Sequence, residues 1–191
     1  MPRQVGLRDI YIAKLTKDDA TGVTYATPVK LERAISAKIS PKTSSEKIYS
    51  DDTVEEIINN FDNCEVEIEV NQLSISSRAL LQGATVDSGE LVEKSTDIPP
   101  EVALGFRSKK TNGKYRYIWL FKGKFENAED EYSTQTEKIE SKTPKLKGTF
   151  IPRINDNAWR ITADEDETEI DPTRIASWFT SVPSPLEAPA G

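Results

Sequence analysis

Three carboxylates stand at alternate positions in the short stretch Cys64–Val70: Glu65, Glu67 and Glu69. On an extended chain, glutamates at i and i+2 lie about 6–7 Å apart. That separation is compatible with general acid–base work by a carboxyl pair. Three readings of the ladder are open. It is a catalytic pair or cation site, or a solvated outer face partly offset by Lys30 and Lys38, or a channel wall. In the last case the repeated like charges act as a field that repels anions. Catalysis is the weakest of the three, because nothing else in the sequence assembles around the ladder. The chain has no histidine, which removes histidine-built zinc sites, Ser-His-Asp arrangements and histidine general bases. No catalytic, cofactor-binding or metal-ligating set is assigned.

The ladder is held by a period-two pattern. Cys64, Val66, Ile68 and Val70 alternate with the three glutamates, so one face of this strand is buried and the other wet. Cys64 falls on the apolar parity and reads as a small buried hydrophobe. One cysteine cannot form an internal disulfide, which fits folding in a reducing cytoplasm. An earlier strand, Lys30–Ser40, carries Leu31, Ile35, Ala37 and Ile39 on one parity and Lys30, Glu32, Ser36 and Lys38 on the other. Between the two runs lies a long loop, Pro41–Asn63. Within it Val54, Ile57, Ile58 and Phe61 have i, i+3, i+4, i+7 spacing, and Thr53 with Glu56 has capping-box spacing. The expectation is a short amphipathic helix inside the loop. It either docks on a neighbouring subunit as a clasp or folds back onto its own domain.

The other elements follow in order. Leu7–Leu15 reads as a strand and Thr16–Thr27 as a loop. Ser76 or Ser77 caps a short helix that Gly83 stops, and Thr85–Pro100 is polar. Asn112-Gly113 signals a type I′ hairpin, which pairs Phe106 with Trp119 and Leu104 with Phe121 on one core-facing parity. Tyr115–Leu120 places aromatics among basic residues, as a base-stacking surface would. An aromatic core strand is the better reading on an acidic chain. Gly123 marks a bulge, and Glu126–Tyr132 an acidic loop. Further strands fall at Thr136–Ser141, Lys145–Ile154 and Ala158–Thr162. The run Asp164–Glu169 lacks calcium-loop spacing and reads as a solvated turn. Asp171 and Pro172 start a final helix with the stripe Ile175, Trp178, Phe179 and Val182, stopped by Pro183.

Consecutive strands with few helices predict a mainly β fold: an antiparallel two-sheet sandwich or barrel flanked by short helices. It forms one domain over residues 1–182, with a flexible tail at 183–191. A net charge of −7 disfavours nucleic-acid affinity. The start Met1–Val5 has no apolar core and no run approaches a membrane span, so neither a signal peptide nor a membrane segment is expected.

Several stretches, taken together and in order, resemble the major tail protein family of siphophages of Gram-positive bacteria, of the phi13 type. They are Val5-Gly6-Leu7-Arg8-Asp9-Ile10-Tyr11, Ala34-Ile35-Ser36-Ala37, Tyr49-Ser50-Asp51-Asp52, the block Leu104–Tyr117 and Trp178-Phe179. The resemblance implies a non-enzymatic tail tube subunit without cofactors, forming hexameric rings that stack into a hollow tube. Its implied partners are further copies of itself, the tape measure, distal tail and tail terminator proteins, and phage DNA in transit. Its implied place is the virion tail, after assembly in the host cytoplasm. The resemblance also implies that Glu65, Glu67 and Glu69 face an acidic lumen, although Lys30 and Lys38 depart from a purely negative wall. A secretion-system tube protein shares this fold, and a monomeric β-sandwich ligand-binding module is the reading from another class.

Overall fold

A computed structural model describes residues 2–50, 53–130 and 143–185, with 46–50 and 53–56 described by backbone alone. In chain order the described elements are β1 (Gln4–Asp19), β2 (Gly22–Tyr25), β3 (Val29–Lys30), β4 (Ala34–Ser50), β5 (Thr53–Val70) and α1 (Ile75–Gln82). They continue as β6 (Thr85–Asp87), β7 (Glu90–Val92), β8 (Val102–Lys110), β9 (Tyr115–Phe125), β10 (Lys145–Phe150), β11 (Arg160–Asp164) and α2 (Pro172–Ala176). Every strand pairing among the described residues is antiparallel.

The main hydrogen-bonded path runs β2-β1-β8-β9-β10-β5-β4, with β11 beside β9 and β3 beside β1. The path has two ends, so the fold is a sandwich and not a closed barrel. The bend lies in β9. Its first part pairs with β8 and β11, and Gly123–Phe125 pairs with β10. The register of β8 slips between Val102 and Leu104, the extra residue of a bulge beside Gly123. Glycine is needed there because an added Cβ would come within 2.5 Å of the Phe150 ring.

Bending brings the apolar parity of β5 and β10 (Cys64, Val66, Ile68, Leu146, Phe150) against Ile10, Ile12, Leu104, Phe106, Ile118 and Leu120 of the other layer. The outer face of that second layer is also covered. Ala13, Ala103, Tyr117, Trp119 and Phe121 meet Trp178, Ile175 and Phe179 of the C-terminal segment. With both faces buried, β8 and β9 are apolar on both parities, and alternation no longer reports which way a side chain points.

That ambiguity corrects the predicted hairpin register. The structure pairs Leu104 with Leu120, Gly105 with Trp119 and Phe106 with Ile118. Lys110 and Lys114 bracket a three-residue loop through Lys110 N–H to Lys114 C=O, and Gly113 alone has a positive φ, at 83°. A type I′ turn would need positive φ at Asn112 as well; the observed loop is the next commonest hairpin geometry. A one-residue shift flips every side chain, so Trp119 and Phe121 lie under α2 and not in the inter-sheet core. Paired positive φ values occur instead at Ser88 (50°) and Gly89 (86°), turning β6 into β7 inside the stretch read only as polar.

The expected loop Pro41–Asn63 with a helix at Val54–Phe61 is also corrected. Both sides of it are strand, and β4 and β5 pair from Ala34↔Val70 out to Ser50↔Thr53. The 3–4 spacing contains the even steps 54→58 and 57→61, which a strand satisfies equally. β-Branched Val54, Ile57 and Ile58 favour extended backbone over helix.

Smaller differences have local causes. The segment read as one strand from Lys30 breaks at Leu31–Arg33, and Ile35 sits in a register shift, 53% exposed. The expected loop Thr16–Thr27 holds the end of β1 and all of β2, joined by a turn whose Asp19 carboxylate accepts from the Thr21 N–H. Ser74, not Ser76 or Ser77, caps α1 by accepting from the Ser77 N–H, and Gly83 ends it at φ 72°. Asp171 caps α2 as predicted, with Pro172 in the first turn; the helix then stops at Ala176, so Trp178 and Phe179 follow it in turns and Val182 lies beyond them. The strand expected at Thr136–Ser141 and the tail residues 186–191 lie outside the described residues.

Candidate functional site

The glutamate ladder sits where the alternation placed it. Cys64, Val66, Ile68 and Val70 are buried, Glu65 and Glu67 are exposed, and Glu69 is half-buried. Burial pushes the Cys64 thiol above its ordinary value, which leaves it a packing residue and not a nucleophile.

Residues directly opposite on neighbouring strands share a face, so the ladder's surroundings follow from register. Glu67 lies between Lys38 on β4 and Lys147 on β10; Glu69 lies between Ser36 and Lys145; Glu65 lies between Ser40 and Thr149. Lys124 of β9 lies beyond Thr149. Lys42 Nζ is 3.2 Å from Glu65 Oε2, and Lys145 Nζ is 3.8 Å from Glu67 Oε1. Glu69 accepts from the hydroxyls of Ser36 and Thr143. The face is therefore a weave of Lys and Glu, not an acidic wall. Lys30, expected to offset the ladder, is elsewhere, bound to Asp9. Lys145 and Lys147, on the wet parity of an alternating strand, were legible in the sequence. Their neighbourhood to the glutamates was not, because β10 lies about 75 residues downstream of β5.

From this face the β4–β5 pair runs on with no further strand beside it among the described residues. The pairing of β10 with β5 ends at Phe150↔Cys64, whereas β4 and β5 stay paired to Ser50↔Thr53. The two-stranded remainder extends about 30 Å at the usual strand rise. Phe61 stacks on Trp159 of its own sandwich with centroids 4.6 Å apart, which ties down the root. Farther out, Ile57 is 53% exposed and Ile58 half-buried. The side chain of Val54 lies outside the described residues. A lone two-stranded ribbon is marginal in water unless a third element packs on it.

Two charged clusters brace the sandwich. Asp164 binds the Arg116 guanidinium through both oxygens at 2.6 Å and receives Lys110 at 2.9 Å. Asp166 holds Lys110 and Asn112, and Glu165 accepts from the Tyr115 N–H. The run read as a solvated turn thus locks the β8–β9 hairpin. The hydrogen bonds from Arg116 hold the Asp164 carboxyl down at about 2, against burial. At the other end, burial would raise the Asp18 carboxyl, yet the Ile154 N–H, Lys122 and the Asn155 N–H together lower it. Tyr25, pushed up to about 12 by burial, donates to the Phe121 carbonyl at 2.9 Å. Among the described residues no group of three or more His, Cys, Asp or Glu side chains could hold a metal ion. These clusters fasten one element of the sandwich to another.

The model of a family described as phage tail tube protein matches residues 6–170. No curated protein matches the chain.

Proposed function

The chain belongs to the phage tail tube protein family, and on that premise we propose that it forms hexameric rings that stack into a hollow conduit for phage DNA. Membership makes it a structural component of the virion tail and not an enzyme, assembling into a tube with other tail proteins. The finer reading assigns the β4–β5 ribbon as the arm that joins one subunit to the next, with Ile57 and Ile58, and Val54 by its place in sequence, as apolar contacts. Phe61 roots the arm on its own subunit. Further proposed partners are the tape measure, distal tail and tail terminator proteins. Assembly takes place in the host cytoplasm, and the phi13-type subdivision belongs to the same proposal.

The observation that carries the arm is the absence, among the described residues, of a third strand beside the outer ribbon. Such a ribbon gains its missing packing when another subunit meets it.

Glu65, Glu67 and Glu69 are proposed to line the lumen. Their interleaving with Lys38, Lys42, Lys145 and Lys147 changes the mechanism from repulsion to neutralisation. Phosphate affinity comes from lysines and arginines that exchange counterions for phosphate. A lysine already matched by a neighbouring glutamate offers less to a passing strand. Negative-stain microscopy of the purified protein at rising concentration tests the assembly: hollow tubes with six-fold end views are expected. A protein that stays monomeric at high concentration, and also when co-expressed with its tail partners, would refute it.

A further inference from the structure

The strand β4 starts in a cationic groove. The groove, about 590 Å³, is lined by Arg8, Asp9, Lys30, Glu32, Arg33 and Arg107 beside Leu31 and Ala34. Both of its carboxylates are committed. Asp9, turned out of the strand at φ 52°, binds Lys30 and Arg107. Glu32 accepts from the Ser74 N–H at 3.0 Å and the Ser77 hydroxyl at 2.8 Å. Arg8 and Arg33 are exposed and make no ion pair or side-chain hydrogen bond among the described residues. Moreover, Arg8 stands directly across the ladder from Arg107, and the one carboxylate beside that like-charge pair, Asp9, is already shared between Arg107 and Lys30. On a chain of net charge −7, this is a local surplus of positive charge awaiting carboxylates.

The same strand ends beside the chain's complementary surplus. Between Glu46 and Glu56 the sequence holds five carboxylates (Glu46, Asp51, Asp52, Glu55, Glu56) and one cation, Lys47. We propose that the acidic tip of the β4–β5 ribbon of one copy docks in the Arg8–Arg33 groove of another. This rests on the reading of the ribbon as the inter-subunit arm and names the surface that receives it. A copy cannot satisfy its own groove. Ala34 lines the groove and Ser50 ends the same strand, so tip and groove are held on the order of 50 Å apart by extended backbone. The contact is therefore heterologous, one surface on each copy meeting a different one on the next. Contacts of that type propagate into closed rings or open filaments and never stop at a dimer.

Charge reversal tests the pairing. One variant carries Arg8→Glu and Arg33→Glu; a second carries Asp51→Lys, Asp52→Lys, Glu55→Lys and Glu56→Lys; a third carries both sets. Sedimentation and microscopy report tubes, and thermal melting of the monomer reports the fold. Each single set should cut sedimentable tubes at least tenfold with monomer melting unchanged, and the combined variant should restore them. An equimolar mixture of the two single sets should also assemble, since every tip then meets a groove of opposite sign; this arm stands if the combined variant fails to fold. Groove-reversed protein that assembles like the parent overturns the pairing, as does failure of both rescues, and either leaves the tube reading intact. Parent protein that makes no tubes even with its tail partners sinks the tube reading and this inference together.

Discussion

The indole of Trp119 fills the space that a side chain at Gly105, its partner across β8 and β9, would occupy. A Cβ built on Gly105 would lie 2.5 Å from the Trp119 ring. That ring is fully buried, and its Nε1 donates to the Trp178 carbonyl at 2.9 Å, fastening the C-terminal segment over the sheet. Gly105→Ala should therefore overpack this site and cost about 1–3 kcal/mol. Urea unfolding measures it; an unchanged midpoint would mean that the indole has room to move.

The ribbon residues should separate by position. Phe61→Ala removes the stack on Trp159 and should lower monomer stability by on the order of 2 kcal/mol, as loss of a part-buried aromatic pair does. Ile57→Ser with Ile58→Ser should leave monomer melting within about 0.5 kcal/mol of the parent, in the range of surface changes, while abolishing assembly. A marked loss of monomer stability in the Ile57/Ile58 variant would place those side chains in the subunit's own packing.

Replacing Glu65, Glu67 and Glu69 with Gln should keep fold and tubes but free the lysines around them. Tubes of the triple variant are expected to retain DNA in a co-sedimentation assay, with retention falling steeply as salt rises. Release of DNA equal to that of the parent would end the electrostatic role of the face.

Acid should weaken the β8–β9 hairpin through Asp164. Its folded carboxyl titrates at about 2, below the ordinary value, because Arg116 and Lys110 hold its charged form. A group lowered on folding stabilises fully above its unfolded pKa, here about pH 4, and loses that contribution as pH falls toward the folded value. The loss should be on the order of 2 kcal/mol between about pH 4 and pH 2. Unfolding measured across that window should show a shallower slope for Asp164→Asn; identical slopes would assign the acid sensitivity elsewhere.

The sequence alone determined whatever one exposed face or one local cap could write. The alternation of β5 fixed which side of Glu65, Glu67 and Glu69 meets water, because that strand has one wet face. Gly83 and the Asp171-Pro172 pair marked helix ends because those positions have backbone requirements that few residues meet. The collinear stretches from Val5 to Phe179 pointed to the family that the match over residues 6–170 shows. Only the tertiary structure decided the rest. The register of β8 against β9 depended on one residue in a loop, and two buried faces erased the period that would have exposed an error. The Val54–Phe61 spacing fits a helix and a strand alike, and the long partner Lys42–Ser50 settled it by supplying the ladder. The lysines around the glutamates, and the meeting of Arg8 with Arg33, join residues that are distant in sequence. Such neighbours are set by how a sheet folds over, and no local pattern records it.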